Sequence, residues 1–307
     1  MEHRITVDDN KERKRIDILL LDYPYFSSRS AVKNAIEAGY ITVNGTGTVP
    51  SYIPRSGDEI IFTAEENTDD SELKGEDIPL DIVYEDDQLL VINKQRGLVT
   101  HPAPGNMSGT LVNALMGKGV RLSDLNDDPL RPGIVHRLDK LTTGLILVAK
   151  TNEAHKDLQK QIQDKAARRT CEGLCFDNIK TDSGIISKPI GRNPKDRKKM
   201  AVVQGGREAV TEYRVLERFG DYTLCEMDLK TGRTHQIRVH FADMGHPIVG
   251  DEVYTRRKAP FSTSGQLLHA RRIEFVHPKT GEKMIFEAPL PEDFSMILDK
   301  LRKKNSI

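Results

Sequence analysis

The sequence predicts an α+β protein in two parts, a small N-terminal domain and a larger domain with a mixed sheet. Three observations predict it. Strand-like and helix-like stretches alternate without a regular βαβ rhythm and without a glycine-rich phosphate loop, which argues against a doubly wound sheet. Residues 61–80 carry seven acids (Glu65, Glu66, Asp69, Asp70, Glu72, Glu76, Asp77) against Lys74 alone and show no apolar periodicity, the signature of a solvated linker. The 307 residues suit one large domain plus a small one. The expected boundaries are a flexible N-terminus over 1–13, a small domain over 14–62, an acidic linker over 63–79 and a large domain over 80–307.

In the small domain, Ile16, Leu19 and Leu20 mark one face of a short helix that Pro24 stops. Ser28 or Ser30 is placed to cap a second helix with Val32, Ala35 and Ile36 on one face, and Gly39 stands where a left-handed C-terminal residue is wanted. Tyr40-Ile41-Thr42-Val43 alternates like a strand and enters the turn Asn44-Gly45. Gly57-Asp58 then returns the chain into Glu59-Ile60-Ile61-Phe62.

In the large domain, Ile82-Val83-Tyr84 and Leu89-Leu90-Val91-Ile92 are strand-like and flank the acidic turn 85–87. Thr110 opens a short helix with Leu111, Val112 and Leu115 inward. Residues 144–149 read as a strand, and Ala154, Leu158 and Ile162 lie on one face of the following helix. Strands are expected over 213–216, 223–229 and 273–276.

Composition excludes several classes. Three cysteines (Cys171, Cys175, Cys225) form neither a disulfide framework nor a zinc ribbon, which indicates a reducing compartment. No apolar run approaches the ~20 residues of a membrane span, and the first fifteen residues lack a signal-peptide core, so a cytoplasmic protein without membrane partners is expected. No long heptad or broad apolar stripe argues for more than a monomer. The 46 basic and 46 acidic residues balance, but residues 188–199 hold a net charge of +5, reading as a mobile basic loop. His235, His240 and His246 lack thiolates or carboxylates at metal spacing, so no metal is expected.

Two stretches carry chemistry. In His136-Arg137-Leu138-Asp139-Lys140-Leu141-Thr142-Thr143-Gly144 one carboxylate lies between an arginine and a lysine. In Lys230-Thr231-Gly232-Arg233-Thr234-His235-Gln236-Ile237-Arg238-Val239-His240 polar donors alternate with apolar residues after a turn. Taken singly, the first reads as a surface ion cluster and the second as an anion site or a polar helix start.

Together they resemble the signature motifs of the RluA-type pseudouridine synthases, in the RluD-like large-subunit ribosomal RNA branch. The likeness extends through Asn93-Lys94, His101-Pro102, Gly109-Thr110-Leu111-Val112-Asn113, Arg131-Pro132-Gly133-Ile134-Val135, the run from Gly245 to Asp251, and Leu268-His269-Ala270 to Ala288-Pro289. Residues 14–62 resemble the αL RNA-binding domain named after a small-subunit ribosomal protein. That likeness rests on Arg15-Ile16-Asp17, the helix start with Arg29 and Lys33, Gly39 to Gly45, and Gly57 to Ile60.

The resemblance implies a mainly antiparallel catalytic sheet, isomerisation of uridine without cofactor, and ribosomal RNA or an assembling ribosomal particle as partner. It makes Asp139 the carboxylate acting at the ribose, as nucleophile at C1′ or base at C2′. Arg238 is then the cation beside it, and Arg137 fills the space of the flipped base, which leaves its stack at a cost of a few kcal/mol. RNA contacts are implied for His136, Arg233 and His235, for Arg29 and Lys33 of the small domain, and for Lys195, Arg197, Lys198 and Lys199 of the basic loop. One position departs from the pattern. Where the family's Arg/Lys-x-Tyr strand puts a tyrosine against the base, this chain has Cys171, which could relay a proton but offers no ring. An active synthase, a weakened synthase acting mainly as an rRNA-binding or assembly protein, and an enzyme on another ribosyl substrate are therefore the readings to separate.

Overall fold

In the computed structural model, which describes residues 2–8, 14–26, 29–64, 73–103, 106–126 and 128–305, the chain divides into two units, Met1–Glu72 and Leu73–Ile307. The first holds a four-stranded antiparallel sheet in the order β1-β4-β2-β3, formed by β1 (Glu2–Thr6), β2 (Ile41–Val43), β3 (Thr46–Gly47) and β4 (Glu59–Thr63). Two helices, α1 (Ile16–Leu19) and α2 (Arg29–Glu37), supply Ile16, Leu19, Val32 and Ile36 to its core. Asn44 and Gly45 take φ of 50° and 75°, the left-handed pair that a tight two-residue hairpin requires.

Three expectations change here. Residues 2–6, read as flexible, pair along their whole length with β4, because the alternating Ile5 and Val7 reach the core beneath a charged exterior. Ser30 lies inside α2 rather than capping it, and Ser28 falls outside the described residues. The linker acids Glu65, Glu66, Asp69, Asp70 and Glu72 also fall outside them. Residues 73–79, expected as solvated linker, instead pack on the second unit: Leu73 and Ile78 join its core, and the Glu76 N–H donates to the Asn113 carbonyl at 2.8 Å.

The second unit is built on a nine-stranded sheet. Its strands are β5 (Asp81–Glu85), β6 (Leu89–Lys94), β7 (Thr143–Ala149), β8 (Arg168–Phe176), β9 (Ser183–Ser187), β12 (Val210–Arg218), β13 (Tyr222–Leu229), β14 (Leu268–Val276) and β15 (Lys283–Glu287). The order is β5-β6-β7-β14-β8-β13-β12-β9, with β15 beside β14, and every pairing is antiparallel except β7 with β14. A separate hairpin joins β10 (Ile190–Arg192) and β11 (Met200–Val202). The basic run expected as a mobile loop is thus a hairpin, and Asn193 Oδ1 accepts the Lys195 and Asp196 N–H groups at its tip.

Both faces of the sheet are covered, and the two-residue period of the strands sorts the side chains. Leu90 and Ile92 pack with α3 (Leu111–Gly117), while Leu89 and Val91 pack with α4 (Asn152–Gln163). Farther along, Cys171 and Cys175 pack with α5 (Gln236–Asp243), and Leu174 and Phe176 with α6 (Glu292–Asn305). Thr110 caps α3 in a capping box with Asn113. Gly144 permits the parallel contact, since its φ is +106° and a Cβ there would stand 2.3 Å from the Ala270 carbonyl oxygen.

Candidate active site

The loop from His136 to Leu141 enters β7 and is held from several directions. Leu147 N–H donates to His136 Nε2 at 3.0 Å. The Thr100 hydroxyl donates to the Leu138 carbonyl at 2.8 Å and accepts its N–H at 3.3 Å. Lys94, fully buried, gives its ammonium to the carbonyls of Gln95, Leu98 and Lys140 at 3.0, 2.9 and 3.3 Å. Burial, opposed by the charge of Asp139, lowers the Lys94 pKa to about 7. These bonds fix the backbone on both sides of Asp139.

Arg238 meets Asp139 from α5. Its Nη1 donates to Asp139 Oδ2 at 2.8 Å, while Nε and Nη2 grip Asp251 at 2.6 and 2.9 Å in a two-pronged pair. Asp251 is buried and also accepts the N–H groups of Val253 and Tyr254. Burial alone would lower the Arg238 pKa, but the two carboxylates outweigh it and raise it. A permanently charged guanidinium therefore faces a carboxylate whose side chain is 15% exposed.

His235 stands on the other side of Asp139, its Nε2 3.8 Å from Oδ1. Its backbone is left-handed, with φ 58°, and Nδ1 lies 2.7 Å from the Tyr254 hydroxyl. That hydroxyl also accepts the Met200 N–H at 3.1 Å, which ties the imidazole to the hairpin. Burial depresses the His235 pKa and favours the neutral form.

Asp139 opens on a cavity of about 690 Å³ whose walls come from α4, β8, β14 and the turn before α5. Arg131, Arg137, Lys165, Arg169, Lys230, Arg233 and Arg272 line it, against the carboxylates of Asp139 and Glu208. Such a cavity concentrates a polyanion and sets one carboxylate against whatever enters.

Comparison with known proteins agrees with this geometry. A family model described as RNA pseudouridylate synthase matches residues 88–243, and an S4 domain model matches residues 14–60. The chain belongs to the RNA pseudouridylate synthase family. It is 45% identical to the uncharacterized RNA pseudouridine synthase YlyB of Bacillus subtilis, over 97% of this chain and 98% of that protein. It is 46% identical to ribosomal large subunit pseudouridine synthase D of Pseudomonas aeruginosa, over 90% and 88%. Among solved structures, human RNA pseudouridylate synthase domain containing 1 superposes with a TM-score of 0.55 at 25% identity, covering 74% of this chain and 96% of that one. As a synthase of this family the protein isomerises uridine to pseudouridine in RNA.

The synthase brings together Asp139, Arg238, His235, Arg137, Arg233 and Cys171. Arg137 is exposed at the cavity, with His101 Nε2 3.5 Å away and no carboxylate partner among the described residues. Arg233 lines the cavity and donates to the Glu208 carbonyl at 2.8 Å. Cys171 is 3% exposed in β8, and burial pushes its thiol up to about 12. The thiol, not the thiolate, is therefore the form present at working pH.

His136, expected at the RNA, is half-buried and lines the cavity; it accepts a backbone hydrogen bond from Leu147, and burial with Arg169 nearby drives its pKa to about 3. It steadies the loop from within. Arg29 is tied to Asp17 at 2.8 Å, and Lys33 lies 3.5 Å from Glu37 on α2. Lys195, Arg197 and Lys198 are exposed on the hairpin, whereas Lys199 is half-buried 3.9 Å from Asp196. Sequence reasoning passed over Asp251, Tyr254, Lys94 and Thr100 as site residues. Asp251 closes the glycine-rich run after Gly245, but only the fold aims it at Arg238.

Proposed function

We propose that the synthase converts uridine to pseudouridine in large-subunit ribosomal RNA, with Asp139 as the carboxylate that acts at the ribose. The observation carrying this is the fixed Asp139–Arg238–Asp251 relay at the floor of a cationic cavity. A carboxylate poised by an immobile guanidinium, on a loop clamped at both flanks, is set up for attack at C1′ or removal of the C2′ proton. Arg137, without a carboxylate partner among the described residues, takes the space of the extruded base. Arg233 and the exposed cations of the hairpin contact phosphates, and the S4 domain adds a second RNA contact. Relatives named ribosomal large subunit pseudouridine synthase D support the RNA class. Three free, buried cysteines support the cytoplasm as compartment.

The test incubates wild type, Asp139→Ala and Cys171→Tyr with large-subunit RNA lacking the modification and counts pseudouridines. Product from wild type and none from Asp139→Ala is expected. Product from Cys171→Tyr alone would make this a disabled synthase.

A further inference from the structure

Arg169 is the arginine of the cavity that combines near-complete burial with the absence of an ion pair among the described residues; Arg272 also has a buried Nε without a hydrogen bond but meets Glu274 at 3.2 Å. The Arg169 side chain lines the same space as Asp139 and Cys171 and is 9% exposed. Among the described residues its Nε is shut off from solvent without an acceptor, no ion pair or hydrogen bond engages the rest of its guanidinium, and Nη1 and Nη2 lie toward Gly232 at the cavity wall. Its neighbour Arg168 is bound to Asp228 on the opposite side of β8. Gly232 leaves room for Arg169, since a Cβ there would lie 3.1 Å from Nη1. Burying an unpaired guanidinium is expensive, and burial lowers its pKa from the usual value. A fold retains such a group where a ligand supplies the missing partner.

Residues 169 and 171 project from the same face of a strand, so Arg169 stands beside the position where the family has its tyrosine. We propose that Arg169 is a catalytic residue that holds the detached uracil of the known reaction through its carbonyl oxygens and stabilises its negative charge. The inference rests on the synthase reading and adds to it. Breaking C1′–N1 sends the bonding pair to N1, whether Asp139 bonds to C1′ or takes the C2′ proton. The charge spreads over N1, O2 and O4 of a uracil anion. C5 then bonds to C1′, Asp139 is released from C1′ or returns the C2′ proton, and the C5 proton leaves while N1 gains one. Nothing is consumed. A guanidinium facing the cavity meets this charge only after the bond breaks, so it lowers the barrier more than it aids binding.

The experiment compares wild type, Arg169→Met, Arg169→Lys and Asp139→Ala on unmodified ribosomal RNA, measuring single-turnover rate, RNA Kd and Tm. Arg169→Met should lose roughly 100-fold in rate with Kd changed less than about twofold, while Tm holds or rises because a buried unpaired charge is gone. Arg169→Lys should recover part of the rate. Replacing the target by 5-fluorouridine, whose more acidic base leaves more readily, should shrink the Arg169→Met defect in C1′–N1 cleavage. A wild-type rate in Arg169→Met overturns the proposal, as does a weakened Kd with an intact rate, which would mark a phosphate anchor. A fall in Tm parallel to the fall in rate overturns it in favour of a structural role, and an unchanged defect on 5-fluorouridine rules out leaving-group stabilisation. A wild type that forms no product fails the synthase reading itself.

Discussion

Arg238 links two carboxylates with different burial, and the consequences of breaking each link differ. Asp251 is buried and holds two prongs of the guanidinium together with two backbone N–H groups. Asp251→Ala strips the buried guanidinium of its two-pronged partner and leaves it only Asp139, so urea unfolding should show a loss of up to about 3–5 kcal/mol, with activity falling alongside. Asp139→Asn keeps the hydrogen-bonding shape and removes only the reacting charge, so it should abolish turnover with little change in the unfolding midpoint. Cys171 supplies a different test, because its thiol, held near 12, takes no part in titration around neutrality. Cys171→Ala should leave the shape of the pH–rate profile unaltered. Cys171→Tyr returns a ring to the base pocket, and stacking of about 1–3 kcal/mol predicts a gain in turnover measurable by counting pseudouridines over time.

At the level of elements, the hairpin β10–β11 joins RNA capture to the site. Ile190, Met200 and Val202 pack with Val239 of α5, and Met200 N–H reaches the Tyr254 hydroxyl that orients His235. Replacing Lys195, Arg197 and Lys198 by glutamine removes charge from the tip without touching these contacts. RNA affinity should then weaken and its log–log salt slope should flatten by about 2, at roughly 0.7–0.9 per lost phosphate contact, with single-turnover rate at saturating RNA unchanged. Equilibrium binding at several salt concentrations checks this. Tyr254→Phe instead frees His235 and should reduce the rate with Kd unaltered.

For the whole molecule, two histidines held from solvent add to the response to acid. Burial drives His136 to about 3, helped by Arg169, and His269 to about 4. Both stay neutral in the folded state while the unfolded chain binds protons below about 6.5. The unfolded state therefore holds more protons as pH falls, and stability present above about pH 6.5 is lost progressively toward pH 4 and below. Each group contributes at most about 1.4 kcal/mol per pH unit. Urea midpoints measured from pH 7.5 to 4.5 should decline, less steeply in His269→Gln, which still meets Thr143 and the Ala288 carbonyl.

Much of the protein is legible in its residues because local rules act over a few positions. The helices at Ile16, Thr110 and Asn152, the Asn44-Gly45 hairpin and the strand at residues 144–149 follow from period, capping and turn chemistry, and the motifs around Asp139 and Arg238 carry the family. Charge hid β1, since Ile5 and Val7 alternate among charged and polar residues, and the basic density at residues 195–199 hid a hairpin that depends on packing against α5 and Tyr254. The sequence by itself determined the reaction family and the fold class, and its motifs single out Asp139 and Arg238 as the carboxylate and cation of the proposed mechanism. Only the tertiary structure decided that Asp251 anchors that arginine, that His136 receives the Leu147 N–H, that Cys171 is a buried neutral thiol and that Arg169 enters the cavity unpaired among the described residues. These depend on burial and on which side chains the fold turns toward one another, such as Arg238 and Asp139, 99 residues apart, and neither is written in local spacing.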